Sequence, residues 1–133
     1  MNNKIYISGP ITGVKDYKYV FKDARFRLEE ARRICSYGHK CRKQECLYYN
    51  RDYILGCMIN RVFPDYPEII NPAEFKLDGC SWHVCMLVCI ARLLPCSYVY
   101  MLWGWQQSRG ARIEHKIAKL LGKRVIYELR IEN

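Results

Sequence analysis

The sequence predicts an α/β fold: an open, mostly parallel sheet of four to five strands with helices on both faces. Three observations carry this. Short β-branched and aromatic runs occur near residues 4–8, 68–70, 98–102 and 124–128. Between them lie longer segments whose apolar residues recur at helical spacing. The clearest unit is 98–128, where Tyr98-Val99-Tyr100-Met101-Leu102 reads as a strand and Trp103, Gly104 and Trp105 as a loop. A helix then opens at Ser108 and a closing strand spans 124–128. That is one half of a parallel α/β unit.

Taken in order, Lys4-Ile5-Tyr6-Ile7-Ser8 is the first strand and runs into Gly9-Pro10-Ile11-Thr12-Gly13. Glycine at a strand's end permits a sharp turn and close approach of a ligand, and parallel α/β sheets bind ligands at the carboxyl ends of strands. Gly9, Thr12 and Gly13 are therefore binding candidates, in a loop placed to face the 103–109 loop across one cleft. The first loop has neither the dinucleotide-binding glycine fingerprint nor the lysine of a P-loop. A helix is expected over about 15–36, with Tyr17, Val20, Phe21, Ala24, Leu28, Ala31 and Ile34 on its core side.

Residues 35–67 read as a basic, cysteine-rich insertion in a single domain spanning 1–133. Its cations, among them Arg42, Lys43 and Arg51, form a solvated surface in the plainer reading and a nucleic-acid or protein contact in the sharper one. Cys35, His39, Cys41 and Cys46 are irregularly spaced, and only the Cys41/Cys46 pair resembles a zinc-binding pair, so the cysteines are read as ordinary reduced thiols and no metal is expected. Ile54, Leu55, Met58, Ile59 and Val62 suggest a short helix, and Tyr48, Tyr49 and Tyr53 either stack on a base or, in the plainer reading, pack the insertion against the domain. A strand at 68–70 is ended by Pro72. The helix that follows, 81–94, is apolar almost all round, which makes it either central or a subunit interface; the interface is the expectation. Cys85 and Cys89 share one side of it as small buried thiols.

With 133 residues the chain suffices for one core, and no uninterrupted apolar stretch is long enough to span a bilayer. A cytoplasmic protein is expected, with its 8 cysteines reduced. The formal charge of +9 favours an anionic partner: a phosphorylated small molecule, a nucleic acid or an acidic protein.

Glu114 is the most informative single residue. With Ser108 as N-cap, the core stripe of the last helix would run through Ile113, Ile117, Leu120 and Leu121, putting Glu114 at its edge. In the first two turns the helix dipole favours an anion, so a partly enclosed carboxylate would stay ionised, as a nucleophile or a stabiliser of positive charge requires. The plainer role is complementing the dipole or pairing with Arg112 or Lys116.

The run from Lys4 to Gly13 and the run from Tyr100 to Glu114, together with Asn71-Pro72 and Trp82, resemble a small phage and bacterial family catalogued as domain of unknown function 4406. That family in turn resembles the nucleoside 2-deoxyribosyltransferases and the 2'-deoxynucleoside 5'-phosphate N-hydrolases, which have a flavodoxin-like (Rossmann-like) fold. The resemblance implies that the Ser-x-Gly-x-x-x-Glu segment places the nucleophile on Glu114 and that Tyr6 orients it. It implies that Ser108 and Gly110, with Arg109, hold a 5'-phosphate, and that Trp103 and Trp105 wall the sugar or base.

Two departures accompany the match. Cys96-Ser97 stands where an aspartate begins the third strand of those enzymes, and Pro10 and Thr12 stand where the hydrolases carry a serine and an arginine. Asp16, Asp78 and His83 are candidate general acids only by elimination. The resulting expectation is an enzyme that cleaves or transfers the N-glycosidic bond of a nucleoside or its 5'-monophosphate, without cofactor, as a homodimer or larger homo-oligomer. The alternatives are a non-catalytic nucleotide-sensing module, or contact through the basic insertion.

Overall fold

The computed structural model describes residues 4–11, 14–34, 68–77 and 79–128. Its sheet has four strands, all parallel: β1 (Lys4–Ser8), β2 (Glu68–Ile70), β3 (Tyr98–Met101) and β4 (Arg124–Tyr127). They lie in the order β2-β1-β3-β4. Three helices flank them: α1 (Tyr17–Ile34), α2 (Trp82–Leu93) and α3 (Arg109–Leu120).

The period-two alternation of the strands sorts the core into two layers. Ile5 and Ile7 of β1, with Tyr98, Tyr100 and Leu102, pack on Phe21, Ala24 and Leu28 of α1. Tyr6, Val99 and Met101 point the other way, onto Cys89 and Leu93 of α2 and Ala111 and Ala118 of α3. This is the flavodoxin-like arrangement, with four strands and helices on both faces. β1 and β3 are apolar almost throughout because both of their faces are covered.

Local signals set the element ends. Asn71, buried, caps a single 3-10 turn (Pro72–Glu74) by accepting the Ala73 N–H at 3.0 Å, and Pro72 occupies the turn's first position. Ser81 Oγ accepts the Val84 N–H at the start of α2. On α1, Arg25 pairs with Glu29 and reaches across to Glu74, while Arg27 pairs with Asp23. The nearly all-apolar α2 is not central. It buries Cys89 and Leu93 against the sheet and leaves Val84, Leu87 and Leu94 exposed.

The proposed insertion at 35–67, with Cys35, His39, Cys41 and Cys46, its tyrosines and its short helix, lies outside the described residues, as do Thr12, Gly13 and Asp78. Cys80, Cys85, Cys89 and Cys96 are free thiols. Among the described residues no helix is long and apolar enough to cross a membrane.

The chain runs from β1 outward to β2 and then returns across β1 to β3, so the sheet's topological switch point lies between the carboxyl ends of β1 and β3. The two strand exits are clamped there. The Leu102 N–H donates to the Ser8 carbonyl at 2.8 Å, and Gly9 lies so close that a Cβ on it would stand 2.8 Å from Leu102 Cβ. Gly9→Ala should therefore lower stability by about 1–3 kcal/mol through overpacking at this seam. Urea unfolding would check it, and an unchanged midpoint would mean the seam can open at no cost.

Candidate functional site

α3 begins as its sequence dictates. Ser108 is extended, its Oγ accepts the Ala111 N–H at 3.3 Å, and its carbonyl accepts the Arg112 N–H at 3.0 Å. From that start the buried positions are Ala111, Glu114 and Ala118, spaced three and four apart. Glu114, 6% exposed, is thus at the centre of the buried stripe and not at its edge. Leu120 and Leu121, expected in the core, are 77% and 55% exposed. The two alanines explain the difference: with nothing beyond Cβ they let the helix settle close on β1 and β3, and this sets the rotation that turns the carboxylate inward.

There Glu114 meets a polar pair on β1. Tyr6 and Ser8, two residues apart on β1, face the same way, and both are fully buried. Burial pushes the Glu114 carboxyl up from 4.5 to about 7, against the opposing pull of the Tyr6 and Ser8 hydroxyls. These groups are close enough to act on one another. Yet Tyr6 Oη, Ser8 Oγ and Glu114 Oε2 have no partner of full hydrogen-bond geometry among the described residues. The carboxylate expected to stay ionised at neutral pH is instead raised to about 7, because burial outweighs the two hydroxyls. Tyr6 is held well above the usual phenol range, first by burial and then by the charge of Glu114, so it remains a donor. Cys89 adjoins Tyr6 from α2, its thiol raised to about 11 chiefly by burial. Such a group can offer a carboxylate to a developing cation, or a proton when neutral.

The other expected site residues divide around this centre. Gly9 lies at its root, in the seam with Leu102. Gly110 is taken up by helix packing, since a Cβ there would stand 3.0 Å from Met86 Sδ. Arg109 is exposed and stacks its guanidinium over Trp82 at 4.4 Å. Trp103 and Trp105 line a neighbouring cleft of about 390 Å³ with Gln106, Tyr127 and Glu128, and Glu114 is not in its lining. Trp105 stacks on His115 at 4.2 Å, and His115 Nε2 is 2.8 Å from Tyr127 Oη. The Trp103 N–H donates to Glu128 Oε2 at 3.2 Å.

Asp16 and His83 are exposed. Cys96 and Ser97 precede the amino end of β3, the far end from Leu102. Among the described residues no three His, Cys, Asp or Glu side chains gather as a metal site. Sequence reasoning missed Ser8, although its spacing from Tyr6 was the available signal; the pairing of His115 with Tyr127, twelve residues apart, had none.

The fold and this centre define a flavodoxin-like α/β domain with a buried carboxylate beside its switch point. By sequence the chain belongs to the family described as a domain of unknown function, DUF4406, whose model matches residues 3–60 and 65–127. The match runs through most of the stretch 35–67 and skips only 61–64. No curated protein and no solved structure matches the chain.

The raised pKa gives Glu114 a measurable signature. The folded protein binds its proton more tightly than the unfolded chain, so this contribution to stability is complete below pH 4.5 and is lost as pH rises through about 7. Wild type should therefore lose about 3 kcal/mol more than Glu114→Gln between pH 4 and pH 8. Paired urea titrations at the two pH values would measure the difference. Parallel pH dependence in the two proteins would show that Glu114 has an ordinary pKa.

Proposed function

We propose that this protein processes nucleosides or nucleotides by cleaving or transferring an N-glycosidic bond, with Glu114 as nucleophile and Tyr6 orienting it. The observation that supports the reading most is the buried carboxylate beside the switch point, flanked by two hydroxyls and with one oxygen left unpartnered. In this reading Glu114 in its ionised form attacks C1' of the sugar while the C1'–N bond breaks. The electron pair leaves with the base, which is protonated as it departs. Water or a second base then resolves the glycosyl-enzyme ester. The transition state is oxocarbenium-like, and a desolvated anion next to it is worth more than one in water.

A 5'-phosphate belongs, in the same reading, at the start of α3, where the Ser108 hydroxyl, the Arg109 and Gly110 N–H groups and the Arg109 guanidinium supply donors and a cation. Trp103 and Trp105 wall the sugar or base from the adjoining cleft. Gly9, Thr12 and Gly13 of the first loop are assigned to substrate binding in this reading. A homodimer or larger assembly that completes the site belongs to this reading too.

One observation favours a second reading. Glu114 is nearly sealed and half-protonated near neutrality, which also suits a module that binds a nucleotide without turning it over. Calorimetric binding of a deoxynucleoside monophosphate with no base released would support that module.

Chromatographic release of free base from deoxynucleosides and their 5'-monophosphates tests the enzymatic reading. Glu114→Ala should abolish release, and wild-type kcat/KM should rise with pH through a midpoint near the Glu114 value of about 7, since the nucleophile acts when ionised. Release that survives Glu114→Ala, or none from any substrate with wild type, would remove the nucleophile assignment.

A further inference from the structure

We propose that Glu128 selects the base: its carboxylate, in the wall of the cleft beyond β3 and β4, takes the ring N–H and the neighbouring amino group of guanine. The inference rests on the N-glycosidic reading for the cleft's place beside the sugar, and on the cleft's own chemistry for the choice of base.

The lining of the cleft runs against the charge of the chain. The protein carries a formal charge of +9, yet among the described residues no lysine or arginine lines the cleft, and its one charged side chain is Glu128. A phosphate would meet a carboxylate and no cation there. Trp103 and Trp105 line the same space, and at about 390 Å³ it falls within the range of small-molecule sites. Trp105 is held in place, with His115 stacked on it at 4.2 Å and His115 Nε2 2.8 Å from Tyr127 Oη. Indoles so placed stack on any base, so a polar group must choose among bases.

Glu128 is fixed for that task. Its backbone N–H donates to the Met101 carbonyl at 2.8 Å, which carries the β3–β4 pairing one residue past the end of β4. Its side chain is 14% exposed, with Oε2 accepting the Trp103 N–H at 3.2 Å and Oε1 3.9 Å from the Arg27 guanidinium. A carboxylate accepts at about four positions, so one that orders the loop can also take donors from a ligand. Gln106 and Gln107 line the cleft too, but both are exposed, and an amide carries a donor as well as an acceptor.

The pattern of donors then selects the base. A carboxylate offers two acceptors side by side, and guanine answers with two adjacent donors, its ring N–H and its amino group. Adenine and cytosine have a ring acceptor beside the amino group, which would set a lone pair against a carboxylate oxygen. The ring N–H of thymine is flanked by two carbonyls. Hypoxanthine keeps the ring N–H and lacks the amino group.

The test uses carbocyclic 2'-deoxynucleosides, in which a methylene replaces the ring oxygen, so that no oxocarbenium ion can form and binding is read apart from turnover. Quenching of tryptophan fluorescence reports it, since Trp103 and Trp105 line the cleft. The guanine analogue should bind wild type about tenfold or more tighter than the hypoxanthine, adenine, cytosine and thymine analogues. Glu128→Gln, whose amide offers one acceptor and one donor, should lose that preference and favour adenine. Circular dichroism would confirm that the variant folds, and the wild-type series stands without it. The proposal is overturned if wild type binds no analogue, binds the guanine and hypoxanthine analogues equally or prefers another base, or if folded Glu128→Gln keeps the guanine preference. Guanine preference in binding, with no base released from natural deoxynucleosides, would uphold this site and remove the glycosidic reading. Release of base from all of them at equal rates, with no preference in binding, would do the reverse.

Discussion

The structure depends on the close approach of α3 to the sheet. Ala111 and Ala118 have no bulk to hold the helix away, so Glu114 between them is pressed against β1 and removed from water. Burying a carboxyl is unfavourable unless it is neutralised or given donors. Here both remedies are partial. Two hydroxyls face it, and its affinity for a proton rises. A group left in that state is where a functional site is looked for first.

Much of the architecture was legible because parallel sheets announce themselves. Both faces of β1 and β3 are covered, so the runs at 4–8 and 98–102 had to be apolar almost throughout, and the helices between them had to keep a helical period. Ser108 marked the start of the last helix correctly through its capping oxygen. The rotation of α3 was misjudged for a definite reason. Counting large apolar residues put Leu120 and Leu121 inward, whereas the close contact is set by the small ones. Size complementarity with β1 and β3 decides that rotation, and it is not a property of the helix's own sequence.

The site was legible in part. Glu114 and Tyr6 were found, and they do meet. Ser8 was missed because a serine at the end of a strand is ordinarily read as the start of a turn. The tryptophans were placed in the same cleft as Glu114, but the loop after β3 carries them toward β4, where Trp105 is held by His115. Such a contact depends on which strand lies next to β3, and that is a matter of topology.

The seam between Gly9 and Leu102 has a mechanical meaning. Two loops that leave adjacent strands usually move separately, each on its own hinge. Here both spring from one clamped point, with the Leu102 side chain filling the space above Gly9 and its amide tied to Ser8. Their roots share that seam, so a residue exchanged at one strand exit is felt at the other.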